Sequence, residues 1–203
     1  MITYLQLITS LRYELADSEK TEWDDNALFE FVKRAERRVR SLVIKHRLWF
    51  LRKTHEFHTV VGTPNYALPV DFDIDDGLFR KDMRKALPLI EPEYWEQMTI
   101  PSVVVGWRID GDELEFIGTP SEVIPMKLYY YPTYVEPINQ TVELCCKGRL
   151  TDPIFMYAAF IAKNVDEMDL TADTRMLGEI ESHLLELYNR NRQTRTRLVG
   201  NFI

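Results

Sequence analysis

Cysteine is almost missing from this chain: there are two in 203 residues, Cys145 and Cys146, and they are neighbours. A disulfide between adjacent residues is strained, so no disulfide framework is implied and two buried thiols are expected. Long apolar runs are missing as well; none approaches the roughly 20 residues of a membrane-spanning helix. The opening MITYLQLITSLRYELAD lacks the basic flank and cleavage site of a secretory signal. These absences predict a soluble, intracellular protein with no membrane partner. An overall basic excess is missing too, the net charge being −7.

A composition of 45% hydrophobic and 12% aromatic residues can bury a sizeable core in one domain, or in one domain with a large insertion. The charge is unevenly spread. Lys33 to Lys53 carries nine Lys or Arg against one Glu, and Asn189 to Ile203 carries four Arg and no acid, which leaves −19 for the rest. Such separation points to surfaces that face different partners, or copies of the same chain; a solvated helix face is the plainer alternative.

The first elements read as helices. Thr3 caps a run in which Tyr4, Leu7, Ile8, Leu11 and Leu15 share one face, leaving Arg12, Glu14 and Asp17 for solvent. After a loop from Ser18 to Trp23, Asp24 or Asp25 opens a longer helix with the stripe Leu28, Phe31, Val32, Ala35, Val39, Leu42 and Val43. Lys33, Arg34, Arg37, Arg38 and Arg40 fall largely off that stripe, giving one apolar and one basic side.

From residue 51 to about 145 the pattern is mostly β. Phe57–Val61, the turn Gly62–Asn65 and Tyr66–Leu68 read as a hairpin closed by Pro69. Asp71–Asp76 reads as turn-rich, followed by short strands at Leu78–Arg80 and Ala86–Ile90 and a brief helix from Pro92 to Gln97 anchored by Tyr94 and Trp95. The clearest signal is Asp110-Gly111 between alternating runs. A turn there pairs Ile109 with Asp112, Trp107 with Leu114 and Val105 with Phe116, and sets Arg108 opposite Glu113. Val105, Trp107, Leu114 and Phe116 are the expected β core, and a third strand runs from Met126 to Tyr131.

Helical grammar returns at Thr151-Asp152-Pro153, an N-cap with Pro at the first helical position. Ile154–Ile161 is apolar nearly all round. After a break at Met168–Thr171 the last helix has Met176, Ile180, Leu184 and Leu187 as its stripe, with Glu179, Glu181 and Glu186 outside. The expected fold is α+β: a single domain whose terminal helices, 1–50 and 151–190, form a bundle, with a central antiparallel β region over 51–150 inserted between them and an extended tail over 191–203.

Motifs for chemistry are weak. Asp71, Asp73 and Asp75 resemble the start of a calcium loop, but Gly77 comes one place late and Asp82 replaces the closing Glu. His55 and His58, three apart on a strand, face opposite ways, and no Cys or carboxylate completes a metal set. His46 and His183 have no visible nucleophile or acid partner. Tyr129-Tyr130-Tyr131 reads better as sheet packing than as a base-stacking platform, since little positive charge surrounds it. No catalytic, cofactor or metal residues are therefore assigned, and the protein is expected not to be an enzyme.

The order of these features resembles the head-to-tail connector (adaptor) proteins of tailed bacteriophages, including the tail tubular protein of short-tailed phages. The resemblance covers nearly the whole chain. It rests on the capped second helix ending in Leu48-Trp49-Phe50, the turn Asn65-Tyr66-Ala67-Leu68-Pro69-Val70-Asp71-Phe72, and the Trp107–Ile117 hairpin followed by Leu128-Tyr129-Tyr130-Tyr131-Pro132. The Asp152-Pro153 helix start with Tyr157-Ala158-Ala159, and the long last helix with its tail, complete it. The resemblance implies a virion component at the head–tail junction, made in the host cytoplasm. It implies a homo-oligomeric ring, commonly of twelve subunits, that docks on the portal protein, receives a downstream tail or nozzle protein and passes DNA without reading its sequence. Arg34, Arg37 and Arg38, and in the tail Arg190, Arg192, Arg195, Arg197, Leu198, Val199 and Phe202, are the candidate subunit or portal interface, with the portal as the resemblance's partner for the tail. The alternatives are a nucleic-acid-binding protein using the basic helix 33–53, and an enzyme whose site the sequence does not connect.

Overall fold

A computed structural model describes residues 2–91, 94, 103–146, 148–165 and 170–199, with Leu170 and residues 190–199 described through their backbone alone. The chain is mixed α+β with antiparallel sheets. It divides into two compact units, a helical one formed by Met1–Phe50 with Tyr134–Ile203 and a β one formed by Leu51–Thr133.

In the helical unit, α1 (Tyr4–Glu14) opens with a capping box in which Thr3 and Gln6 satisfy each other's backbone N–H. α2 (Asp25–Lys45) is capped by Asp24, whose carboxylate accepts from the Ala27 N–H. Both helices end in Schellman motifs. Asp17 N–H reaches Arg12 O and Ala16 N–H reaches Tyr13 O; at the second end Leu48 N–H reaches Val43 O and Arg47 N–H reaches Ile44 O. Ala16 (φ 55°) and Arg47 (φ 49°) take the left-handed position usually given to Gly. α3 (Thr151–Lys163) begins two residues before Pro153, and no side chain caps it. α3 packs on α1, α2 and α4 (Leu170–Val199). The backbone of α4 stays helical to Val199, beyond the expected end near 190, because no Gly or Pro interrupts it between Gly178 and Gly200. The segment returning from the β unit pairs with the chain start: Tyr4 N–H donates to Val142 O, Leu5 N–H to Gln140 O, and Leu144 N–H to Ile2 O.

The β unit holds two antiparallel sheets. One has the order β1-β7-β3-β4, from β1 (Lys53–His58), β7 (Pro125–Pro132), β3 (Phe72–Arg80) and β4 (Lys85–Leu87). The other has the order β2-β6-β5, from β2 (Asn65–Ala67), β6 (Glu113–Ile117) and β5 (Gly106–Asp110). The expected hairpin over 57–68 does not form as a strand pair. β1 takes β7 as its partner and β2 takes β6, because the turn at Gly62 (φ 82°) carries the chain from one sheet to the other. Asp71–Asp76, expected as turns, belongs mostly to β3, which reaches β7 through irregular register between Phe72 and Ile74 and between Asp75 and Gly77.

The β5–β6 hairpin turns on Gly111-Asp112 rather than Asp110-Gly111, so Trp107 faces Phe116, Ile109 faces Leu114 and Arg108 faces Glu115. Gly111 (φ 59°) occupies the first central position, where a two-residue turn can demand glycine. The displacement is two residues, an even number, so each side chain keeps its face although its partner changes. Trp107, Leu114 and Phe116 are fully buried with Leu78, Met126 and Leu128 in one core shared by both sheets; Val105, expected in that core, is half-buried and lies just before β5, and its neighbour Val104 packs there instead. Of the brief helix expected over 92–97, all but the exposed Tyr94 lies outside the described residues.

Candidate assembly surfaces

The inward stripe of α2, Leu28, Val32, Ala35, Val39 and Val43, turns Arg34, Arg37 and Arg38 outward, and all three are exposed. The other cations of the basic run are largely neutralised nearby. Lys33 folds inward between Glu30 (2.5 Å) and Glu136 (3.1 Å), over the Phe29 ring. Lys45 meets Glu181 on α4 at 2.9 Å, and His46 meets the same carboxylate. In the β unit Arg52 pairs with Asp76 (2.9 Å) and Lys53 with Asp71 (2.6 Å). Arg37 reaches Glu136 only at 4.0 Å. Arg34 and Arg38 have no carboxylate partner among the described residues. Both act on Tyr157 of α3: burial, then its hydrogen bond to Asp173 at 2.6 Å, pushes its phenol up to about 12, and the two guanidiniums pull the other way.

Two buried charged nodes were not expected. Glu36 is fully buried, and its carboxylate accepts from the Tyr4 hydroxyl, from the Tyr134 hydroxyl at 3.1 Å and from the Cys146 N–H at 2.8 Å. It therefore ties α1, α2 and the returning segment together. Burial raises the Tyr4 and Tyr134 phenols, and the neighbouring carboxylate raises them further. Cys146 is likewise a buried, unreactive thiol, pushed up by burial and by Glu36, whereas Cys145 is exposed rather than buried.

Arg12 and Asp17, expected in solvent, form the second node. Arg12 Nη1 donates to Asp17 at 2.7 Å and its other nitrogens to Asp25 and Trp23 O. Asp17 also accepts from the N–H groups of Thr21, Glu22 and Trp23, so the loop before α2 is wound about one carboxylate. Burial raises the Asp17 carboxyl, and those donors more than offset it, leaving its pKa below the ordinary carboxylate range.

The residues singled out for chemistry are dispersed. Asp71 is held by Lys53 and by the Tyr130 hydroxyl (2.8 Å), and no group of three or more His, Cys, Asp or Glu able to hold a metal gathers among the described residues. His55 is half-buried and stacks on Phe57; His58, on the other face of β1, is exposed. Tyr130 and Tyr131 are buried, and Tyr129 lies edge-on to Phe79 under the Arg52 guanidinium. No helix among the described residues is long and apolar enough to cross a membrane.

A comparison with protein-family models matches residues 2–200 to the family described as SU10 adaptor protein. The chain belongs to the SU10 adaptor protein family. It is thus a bacteriophage adaptor, a structural part of the head–tail junction. No curated protein matches it. In this adaptor Arg190, Arg192, Arg195, Arg197, Leu198 and Val199 lie on the last turns of α4, where backbone alone is described, and Phe202 lies outside the described residues.

Proposed function

We propose that this adaptor assembles as a closed ring of about twelve subunits between the portal and the downstream tail or nozzle protein, continuing the path of the DNA without reading its sequence. The terminal helices form the body of each subunit, and the β unit is inserted in the sequence between them. The role is structural, not catalytic. The observation that carries the reading is the outward face of α2, where Arg34, Arg37 and Arg38 stand exposed on a chain of net charge −7 while most neighbouring bases are paired. A ring needs two different, complementary faces on each subunit, and separated charge supplies such complementarity. The arginine-rich end of α4 is the second contact to a neighbour or to the portal.

Replacing Arg34, Arg37 and Arg38 together by Glu is expected to weaken attachment to portal-bearing heads and to leave the circular dichroism spectrum unchanged, because none of the three packs inward. Wild-type attachment by the triple variant would overturn the assignment. A duplex-DNA titration on the same variant tests the remaining possibility: tight, salt-dependent binding lost with the arginines would mark a nucleic-acid contact.

A further inference from the structure

α1 has a covered apolar side and an exposed side that mixes apolar with uncharged polar residues. Tyr4, Leu7, Ile8 and Leu11 point into the helical unit, while Ile2, Leu5, Gln6, Thr9, Ser10 and Tyr13 are exposed. The exposed charge on α1 is Glu14, at its last position and paired with Lys163 at 2.7 Å; the rest of the outer face is uncharged in a chain of which 28% is charged, and Tyr13 is 75% exposed. Depletion of charge with a protruding aromatic is the composition of an interface core. Its shape agrees. Leu5, Thr9 and Tyr13 form a ridge between two grooves, one of about 650 Å³ towards Asp152 and Phe155 at the start of α3, the other of about 210 Å³ towards Ser18 and Lys20. Ridges flanked by grooves are how helices accept other helices.

We infer that this face receives the C-terminal segment of a second copy, residues 190–203; the inference rests on self-assembly of the adaptor. The charge around the face selects the occupant. Asp152 is the charged residue that lines the larger groove, so a basic segment with apolar anchors fits there, while in the smaller groove Asp25 is already paired with Arg12 and Lys20 and favours neither sign. Residues 190–203 carry four Arg and no acid and close with Leu198, Val199, Phe202 and Ile203, spaced for one side of a helix. The chain's own segment leads elsewhere. α1 ends beside the start of α2, at the Arg12–Asp25 contact, whereas α4 meets the opposite end of α2, at Glu181 with Lys45 and His46. α4 passes Tyr157 through Asp173 before reaching that end, so it runs along α2 away from α1. From Glu181 to Val199 it continues for about 27 Å at 1.5 Å per residue. A face left open in one copy and a segment that leaves its own copy make a heterologous contact, one of each per subunit.

The test is a fluorescence-anisotropy titration of a labelled peptide of residues 188–203 with the dilute full-length adaptor. Saturable binding is expected. It should weaken roughly tenfold, the effect of losing one anchor, in Leu5→Arg and separately in Thr9→Arg, both on the exposed face and both checked for folding by circular dichroism. A peptide with Phe202→Ala should lose affinity by a similar factor. Absence of saturation, or equal binding to wild type and both α1 variants, overturns the inference, as does binding that only Arg34→Glu disturbs. Because the titration needs no ring, it is independent of attachment to heads: if the peptide fails to bind while the adaptor still joins portals, the ring reading stands and the portal becomes the receptor of the segment.

Discussion

The two units are held together by different chemistry. The β unit has an apolar core in which Trp107, Phe116, Leu114, Leu78, Met126 and Leu128 meet, and ion pairs such as Lys53–Asp71 and Lys81–Glu56 lie towards its surface. The helical unit places charge inside: Glu36 joins three chain segments, and Arg12 with Asp17 sets the loop ahead of α2. An apolar core tolerates exchange of one hydrophobe for another of similar volume, whereas a buried carboxylate requires each of its donors to remain in place. The helical unit, which carries the candidate assembly surfaces, is therefore the more specified of the two and the less tolerant of polar change.

The contrast is open to direct attack, and the largest effect is expected in the β unit. Phe116→Ala removes a fully buried ring and should cost roughly 3–5 kcal/mol, while the exposed Glu113→Ala should change stability by less than about 0.5 kcal/mol. Denaturant melts that report similar losses for the two would mean that this core is not what holds the unit. Glu36→Ala comes next, at roughly 2–4 kcal/mol, since it strands two phenols and a backbone N–H. Glu36→Gln keeps the acceptor and should recover part of that loss; if Gln and Ala behave alike, the node contributes through volume and not through hydrogen bonding.

The smallest effect separates a buried carboxylate from a half-buried one. Both Asp17 and Asp71 have lowered pKa values, so the unfolded chain takes up protons first as the pH falls. Their contribution is complete above the ordinary value of about 3.9 and is lost as the pH drops through the lowered one. Asp17→Asn and Asp71→Asn should each flatten the fall of the melting temperature below about pH 4. Added salt should shrink the Asp71 contribution, which depends first on Lys53 near the surface, and leave that of Asp17, held by backbone N–H groups, nearly unchanged. Equal salt sensitivity would erase the distinction between the units.

What could be read beforehand follows the same division. The inward faces of the hairpin were legible because alternation fixes parity, and a one-residue error in the turn shifts the pairing by two and leaves parity intact. The error itself came from the order Asp110-Gly111-Asp112, in which Gly has an acid on both sides and either pair can form the turn. The partners of β1 and β2 were not legible, because pairing with β7 and β6 joins strands far apart in sequence. Glu36 did leave a sign: it stands four residues after Val32 and three before Val39, a core position in the α2 stripe occupied by an acid. An acid there demands donors, and Tyr4, Tyr134 and Cys146 could be found only once the fold had brought them together. The outward set of Arg34, Arg37 and Arg38 was readable from the stripe, but the neutralisation of Lys33, Lys45, Arg52 and Lys53 was not.

The pairing of Ile2–Leu5 with Gln140–Leu144 also orders events during synthesis. Tyr4 N–H has no Val142 carbonyl to bond, and Glu36 has neither Tyr134 nor Cys146, until the segment Tyr134–Cys146 has followed the β unit out of the ribosome. The strands from Lys53 to Pro132 have all their sheet partners within that span and are complete earlier. Domains commonly fold as units as they emerge. The helical unit is thus closed after the β unit that is inserted in it, and the contacts of α1 and α2 with the returning segment form only once the β unit has been made.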